Sequence, residues 1–208
     1  MRNLLILMVV VAVALLSSFF PVTVSAGETV AIARGGTGRL PVVVSPDASD
    51  RVSEAAGNLA HYLGKITGAT FKTRRGEGAA GIAVGNYRNF PKLGLSDRFD
   101  PADITRRDEY LIRTHDEGLH LIGATDLAAQ HAVWDFLYRI GYRRFFPTKT
   151  WEVMPEDRNL RVEMDVFESP DFFNRSAPRG APWSDGKMWR LWKDRNRVTS
   201  AVRVSTGH

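Results

Sequence analysis

A chain of 208 residues, 44% hydrophobic and 10% aromatic, is long enough for one domain with its own core plus appendages and too apolar to be disordered throughout. It has no cysteine, which excludes a disulfide framework, a thiolate metal site and a lipid anchor on an N-terminal cysteine. The net charge of +5 belongs to one end: residues 27–173 hold 19 basic and 21 acidic side chains, residues 174–208 hold 8 and 2, so the basic tail is read as an interface or cleft wall and not as a nucleic-acid site.

Residues 1–26 have the layout of an export signal. Arg2 gives the positive start, "LLILMVVVAVALL" the apolar core, and "VSA" ending at Ala26 the cleavage site. Cleavage there starts the mature chain at Gly27 and sends it to the periplasm or outside the cell. The alternative is a retained anchor, which would be the one contact with a membrane, since nothing later resembles a second span.

"TVAIARGG" (29–36) and "LPVVVSP" (40–46) are β-branched runs bounded by Gly and Pro, the pattern of strands. "RGGTGR" (34–39) is rich in glycine but leads into a strand and not a helix, so it is a turn rather than a phosphate loop. Asp47 or Ser49 caps a helix whose stripe is Val52, Ala55, Ala56, Leu59, Leu63 and Ile66, and Gly68 suits the left-handed position that ends it. "TFKT" (70–73) and "GIAVG" (81–85) follow as short strands, then a polar excursion from Asn86 to Arg107 with little periodicity.

"EYLIRTH", the turn "DEG" and "LHLIG" make the clearest hairpin. Thr125 caps a second helix with Ala128, Ala129, Ala132, Val133, Phe136, Leu137 and Ile140 on one face, stopping at Gly141. "YRRFFP" (142–147) is predicted as an edge or crossing strand closed by Pro147, and "WEVMP" and "NLRVEMDVFE" as two further extended pieces. Hairpin, helix and strand together make one unit of an α+β layer. From Ser169 the chain changes character: prolines, aromatics and arginines without a periodic core face, in which "DGKMWRLWKDRNR" is able to form a helical turn or more.

"AAGNLAHYLGKITGATF", "GIAVG", "DEYLIRTHDEGLHLIGA" and "AVWDFLYRIGYRRFFPTKTWEVMP" together resemble the N-terminal accessory domain of α-glucuronidase-like and hexosaminidase-like glycoside hydrolases, most closely the secreted bacterial DUF4838 group. The resemblance covers Val30 to Asp165. It implies an α+β domain, a mixed β-sheet with two helices packed on one face, spanning residues 27–168 and holding no catalytic residue. It also implies that residues 169–208 lead into a catalytic barrel outside this chain, and that a polysaccharide is the wider substrate.

Glycoside hydrolysis needs two carboxyls facing each other across the bond. The adjacent acids Asp108 and Glu109, Asp116 and Glu117, and Glu156 and Asp157 sit in turns or strand ends, so each pair is expected to diverge into solvent, and no catalytic residue is assigned. The five histidines give no metal signature; His115 and His120 are expected to form an exposed cross-strand pair, and neither metal nor cofactor is assigned. Arg195, Asn196 and His208 are the candidates for substrate contact, because the resemblance places them nearest the barrel. Trp183, Trp189 and Trp192 are the candidates for an interface or for stacking on sugar rings. The expected role is a non-catalytic brace for a glycan-degrading barrel; the alternative is a free-standing carbohydrate-binding or cell-surface interaction module.

Overall fold

The computed structural model describes residues 28–172, 175 and 186–199. The export signal, Trp183 and His208 lie outside the described residues. The chain opens with the short strands β1 (Val30–Ala31), β2 (Ala33–Arg34), β3 (Thr37–Gly38) and β4 (Val42–Val44). Helix α1 (Asp50–Thr67) follows, then β5 (Thr73–Arg75), β6 (Gly81–Asn86), the hairpin β7 (Tyr110–His115) and β8 (Gly118–Gly123), and helix α2 (Asp126–Arg139). The remainder is β9 (Arg143–Arg144), β10 (Glu152–Val153), β11 (Arg161–Val162), β12 (Asp165–Glu168) and helix α3 (Gly186–Arg195).

Six strands form one mixed sheet in the order β12, β7, β8, β6, β4, β5. β7 runs antiparallel to both of its neighbours, and every other neighbouring pair is parallel. The parallel register sets Ile82 beside Leu119 and Val42 beside Ile82, so alternate residues of each strand share a face. One face carries Val42, Val44, Ile82, Val84, Ile112, Leu119 and Leu121, and both long helices pack on it. The expected α+β architecture, a mixed sheet with two helices on one side, is the one found.

α1 is built as its sequence dictates. The Ser49 hydroxyl accepts from the Val52 amide at 3.3 Å, and all six stripe residues are buried. Gly68, at φ +74°, closes the last turn by donating to the Gly64 carbonyl at 2.9 Å. In α2 the Thr125 hydroxyl accepts from Ala128 N at 3.2 Å. Every residue from Ala128 to Leu137 is buried, polar ones included, because α2 has the sheet beneath it, α1 beside it and α3 against it.

The opposite face is where the sequence was least informative. The excursion after Asn86 is a string of four single 3-10 turns that sets Phe90, Leu95 and Phe99 on Ala83, Leu111 and Ile122. Side chains hold it: Asn86 Oδ1 accepts from the amides of Arg88 and Asn89 at 2.8 and 3.2 Å, Asn89 Oδ1 accepts from Asn86 N at 2.9 Å, and Asp103 caps Thr105. Separate turns share no repeat, so no periodicity announced this second core.

Several strands differ from expectation: the run 29–36 is split into β1 and β2, neither in the main sheet, and "NLRVEMDVFE" into β11 and β12, of which only β12 joins it. The one predicted at 70–73 begins at Thr73, since Phe71 first turns into the core. The one predicted at 142–147 pairs only through Arg143 and Arg144, with β10, and lies outside the main sheet. Phe145 and Phe146 are each 56% exposed.

Candidate functional site

The tail returns to the domain by arginine. Arg195, at the end of α3, places its guanidinium 5.5 Å from the Tyr62 ring centroid and 5.4 Å from that of Trp134, in cation–π contact with a residue from each long helix. Its Nη2 donates to the Tyr62 hydroxyl at 2.6 Å. That hydroxyl donates to Glu152 Oε1 at 3.0 Å, which also accepts from the Tyr142 hydroxyl at 2.7 Å and from Arg144 Nη1 at 3.3 Å. Burial pushes the Glu152 carboxyl up, but the two phenol hydrogen bonds, Arg144 and Arg195 outweigh it and hold the group below the usual carboxylate range. Asn196 Nδ2 donates to the carbonyls of Arg144 and Trp192 at 3.0 and 2.9 Å, and Trp192 Nε1 to the Phe145 carbonyl at 3.1 Å. Of the residues proposed from sequence, then, Arg195, Asn196 and Trp192 come together, all turned onto this chain's own domain. Trp189 stacks on Trp192 with centroids 4.9 Å apart.

A second cluster, which sequence reasoning missed, lies beside it. His131 is fully buried; its Nδ1 accepts from Arg175 Nη2 at 3.3 Å, and its Nε2 is 3.1 Å from the Thr199 hydroxyl, so the proton sits on Nε2. The same Arg175 nitrogen donates to Asp108 at 2.8 Å. Asp135, one turn beyond His131, accepts from Arg139 Nε at 2.8 Å and from Arg197. A cleft of about 220 Å³ opens here between Tyr110, His131, Glu168, Arg175 and Arg197. The one signal available from sequence was spacing: His131, Asp135 and Arg139 recur at i, i+4 and i+8 along one helix.

Burial, and then the cations Arg175, Arg197 and Arg51, push His131 down to about 3. An unfolded chain takes up that proton near 6.5, so between those values the unfolded state binds one more proton than the folded state. Stability is expected to fall as pH drops through this window, by about 1.4 kcal/mol per pH unit for one proton. His120, lowered to about 4 by burial and then by His115, adds to the same slope. In urea unfolding followed against pH, His131→Gln should flatten the slope by about one proton's worth. An unchanged slope would mean that the imidazole is not held neutral.

The acids expected to be solvated are not all so. Asp108 and Glu109 are both 3% exposed, because β7 begins under the tail: Asp108 meets Arg175, while Glu109 meets Arg106 at 2.9 Å and the Ser169 hydroxyl at 3.1 Å. The histidine pair forms, with centroids 4.2 Å apart, but each Nε2 is buried without a hydrogen-bond partner, so the expected exposed pair is half-buried under the turn at Gly78. Among the described residues, no three His, Cys, Asp or Glu side chains are grouped to hold a metal ion, and no helix is long and apolar enough to cross a membrane. Larger cavities lie elsewhere among the described residues. One of about 630 Å³ lies at the start of α2 beside Arg88 and Arg107, and one of about 380 Å³ lies between the three helices.

No protein-family model matches the sequence, and no curated protein matches it. Among solved structures, the chain is similar to a family GH115 4-O-methyl-α-glucuronidase with specificity for decorated arabinogalactans, at 12% identity and a TM-score of 0.54 over 81% of this chain and 25% of that one. An inactive variant of a GH20 exo-β-N-acetylglucosaminidase from Vibrio harveyi aligns at 12% identity and a TM-score of 0.39, over 73% of this chain and 19% of that one. The enzyme CpGH84D aligns at 10% and 0.43, over 81% and 27%. The chain spans about a quarter of the length of the first of these. Its fold is like that of one part of the GH115 enzyme.

Proposed function

We propose that this chain is a non-catalytic accessory module of a secreted glycan-degrading hydrolase of the DUF4838 type, exported by residues 1–26, and that it braces a catalytic barrel encoded by further sequence. The observation that carries this reading is an exposed aromatic ridge. Phe145, Phe146 and Trp151 are each more than half exposed, Val153 lies next to them, and the stacked Trp189 and Trp192 flank them on the tail side. A contiguous apolar surface of this kind marks an interaction site. Two further facts support the proposal: the likeness of fold to one quarter of a GH115 enzyme that is about three times as long as this chain, and the locking of Asp108, Glu109 and Asp135 by arginines, which leaves none of them free to act as acid or base.

The second reading, a free-standing carbohydrate-binding module, rests on the Trp189–Trp192 pair as a stacking platform. In the first reading the chain alone turns over no aryl glycoside, glucuronide and N-acetylglucosaminide included, and the coding DNA past codon 208 continues into a barrel with paired carboxylates. Turnover that vanishes with one carboxylate substitution would overturn it, as would a coding frame holding no barrel.

A further inference from the structure

β6 and β8 run parallel side by side, with Asn86 opposite Gly123 at their ends, but the chain leaves them in opposite directions. After β6 it enters the 3-10 turns that cover Ala83, Leu111 and Ile122; after β8 it enters α2, which packs on the other face with Ile82, Val84 and Leu121. Where two such connections part, a crevice opens outside the carboxyl ends of the strands, and open α/β sheets receive their ligands at this point. The cavity of about 630 Å³ lies there. Asn86 ends β6, Ala124 and Asp126 follow β8, and Arg88, Pro101 and Arg107 come from the segment between β6 and β7.

Hydrogen bonds tie these segments together: Asn86 Nδ2 donates to Asp126 Oδ1 at 2.6 Å, and the Thr125 hydroxyl donates to the Arg107 carbonyl at 3.0 Å. Each arginine is held through Nε alone, Arg88 donating to the Tyr87 hydroxyl at 2.9 Å and Arg107 to the Pro101 carbonyl at 3.0 Å. Both residues are exposed, and their terminal nitrogens hydrogen-bond to none of the described residues, so a solute can reach them. Two terminal nitrogens on one planar guanidinium grip a carboxylate or a sulfate by parallel bonds.

Arg88, Arg107 and Asp126 together leave the lining with one positive charge, which a monoanion neutralises. Asp126 Oδ2 has no partner among the described residues, and a carboxylate oxygen accepts from donors such as a hydroxyl. Pro101, Ala102 and Leu127 add apolar surface for the C–H face of a ring. Ligand pockets run from about 300 to 1,000 Å³, so one or two sugar rings fit. We propose that this crevice binds a monoanionic, hydroxylated ring, a sugar carrying a carboxylate or a sulfate ester, with Arg88 and Arg107 taking the oxyanion and Asp126 a hydroxyl. A chain that binds no such sugar could still brace a barrel, so the two readings fail separately.

The probes are D-glucuronate and D-glucose 6-sulfate, with methyl β-D-glucopyranoside and inorganic sulfate as comparators, and the readout is the backbone amide resonances of Asn86, Arg88 and Asp126 in ¹H–¹⁵N spectra of this chain. An acidic sugar should shift them saturably, with a dissociation constant of about 1 mM, and the neutral glucoside and bare sulfate should each bind about tenfold more weakly. Binding of only one of the two acidic sugars supports the site and fixes which oxyanion it takes. Arg88→Gln and Arg107→Gln should each weaken binding about tenfold while leaving the urea midpoint where it is, since both residues are exposed. Four results would overturn the proposal: amides that neither acidic sugar moves, a neutral glucoside that binds as well as they do, bare sulfate that binds as well as they do, or affinity that both variants leave unchanged.

Discussion

Gly118→Ala is expected to cost about 3 kcal/mol or more, the largest loss of any single methyl addition to the sheet. A β-carbon at Gly118 would lie 1.9 Å from the Gly81 carbonyl oxygen and within 3 Å of two further Gly81 backbone atoms. Backbone cannot turn aside as a side chain can, so β8 would have to leave β6 at the start of their parallel ladder, between the two covered faces. Gly57→Ala is the matched control. It sits in α1 with nothing within 4 Å of its added carbon, and is expected to be neutral or to stabilise by about 0.5–1 kcal/mol. Urea midpoints of the two variants and the parent, with unchanged slopes, check the contrast; equal midpoints for all three would refute the close approach.

Asp135→Ala should cost about 3 kcal/mol, because it leaves a buried site without its charge and takes a shared acceptor from Arg139 and Arg197. The figure stays at the low end for a broken buried pair, since both arginines are about a third exposed and regain water. The loss should be local as well as global. With Arg197 released, the segment around α3 should be cut by protease at concentrations that spare the sheet, and Asp135→Asn, which keeps the shape and an acceptor, should fall between parent and alanine variant. A uniform loss with no change in where the protease cuts would place Asp135 in the general core rather than in the attachment of the tail.

What could be read ahead of the structure divides along one line. Elements that bury a single stripe or alternate strictly were legible: Ser49 as one of two cap candidates, the α1 stripe, Gly68, the hairpin turn opening at Asp116, though Gly118 already belongs to the strand, and the Thr125 cap. Features created by distant chain were not. Asp108, His131 and Asp135 look like surface polars until Arg175 and Arg197 arrive from 40 or more residues away. Tyr62 widens the buried face of α1, and the partner of its hydroxyl, Arg195, lies 133 positions later and was not readable from spacing. "YRRFFP" has the composition of a strand, yet Arg144 turns to Glu152 and its ladder stops after two residues, which leaves its phenylalanines in water. Among the tail candidates, Trp189 and Trp192 came from composition and Arg195 and Asn196 from the family resemblance, while their partners Tyr62, Trp134, Tyr142 and Glu152 needed coordinates.

The unequal covering of the sheet also decides where evolution has room. On one side, two long helices meet along their length, and an added residue in either would rotate every later side chain out of the shared core. On the other, four short turns are each closed by their own Asn or Asp or by neighbouring amides and touch the sheet through only a few apolar anchors, among them Phe90, Leu95 and Phe99. Between those anchors, residues can be gained or lost without disturbing either neighbour. Descendants of this gene should differ most in length between Pro91 and Arg106.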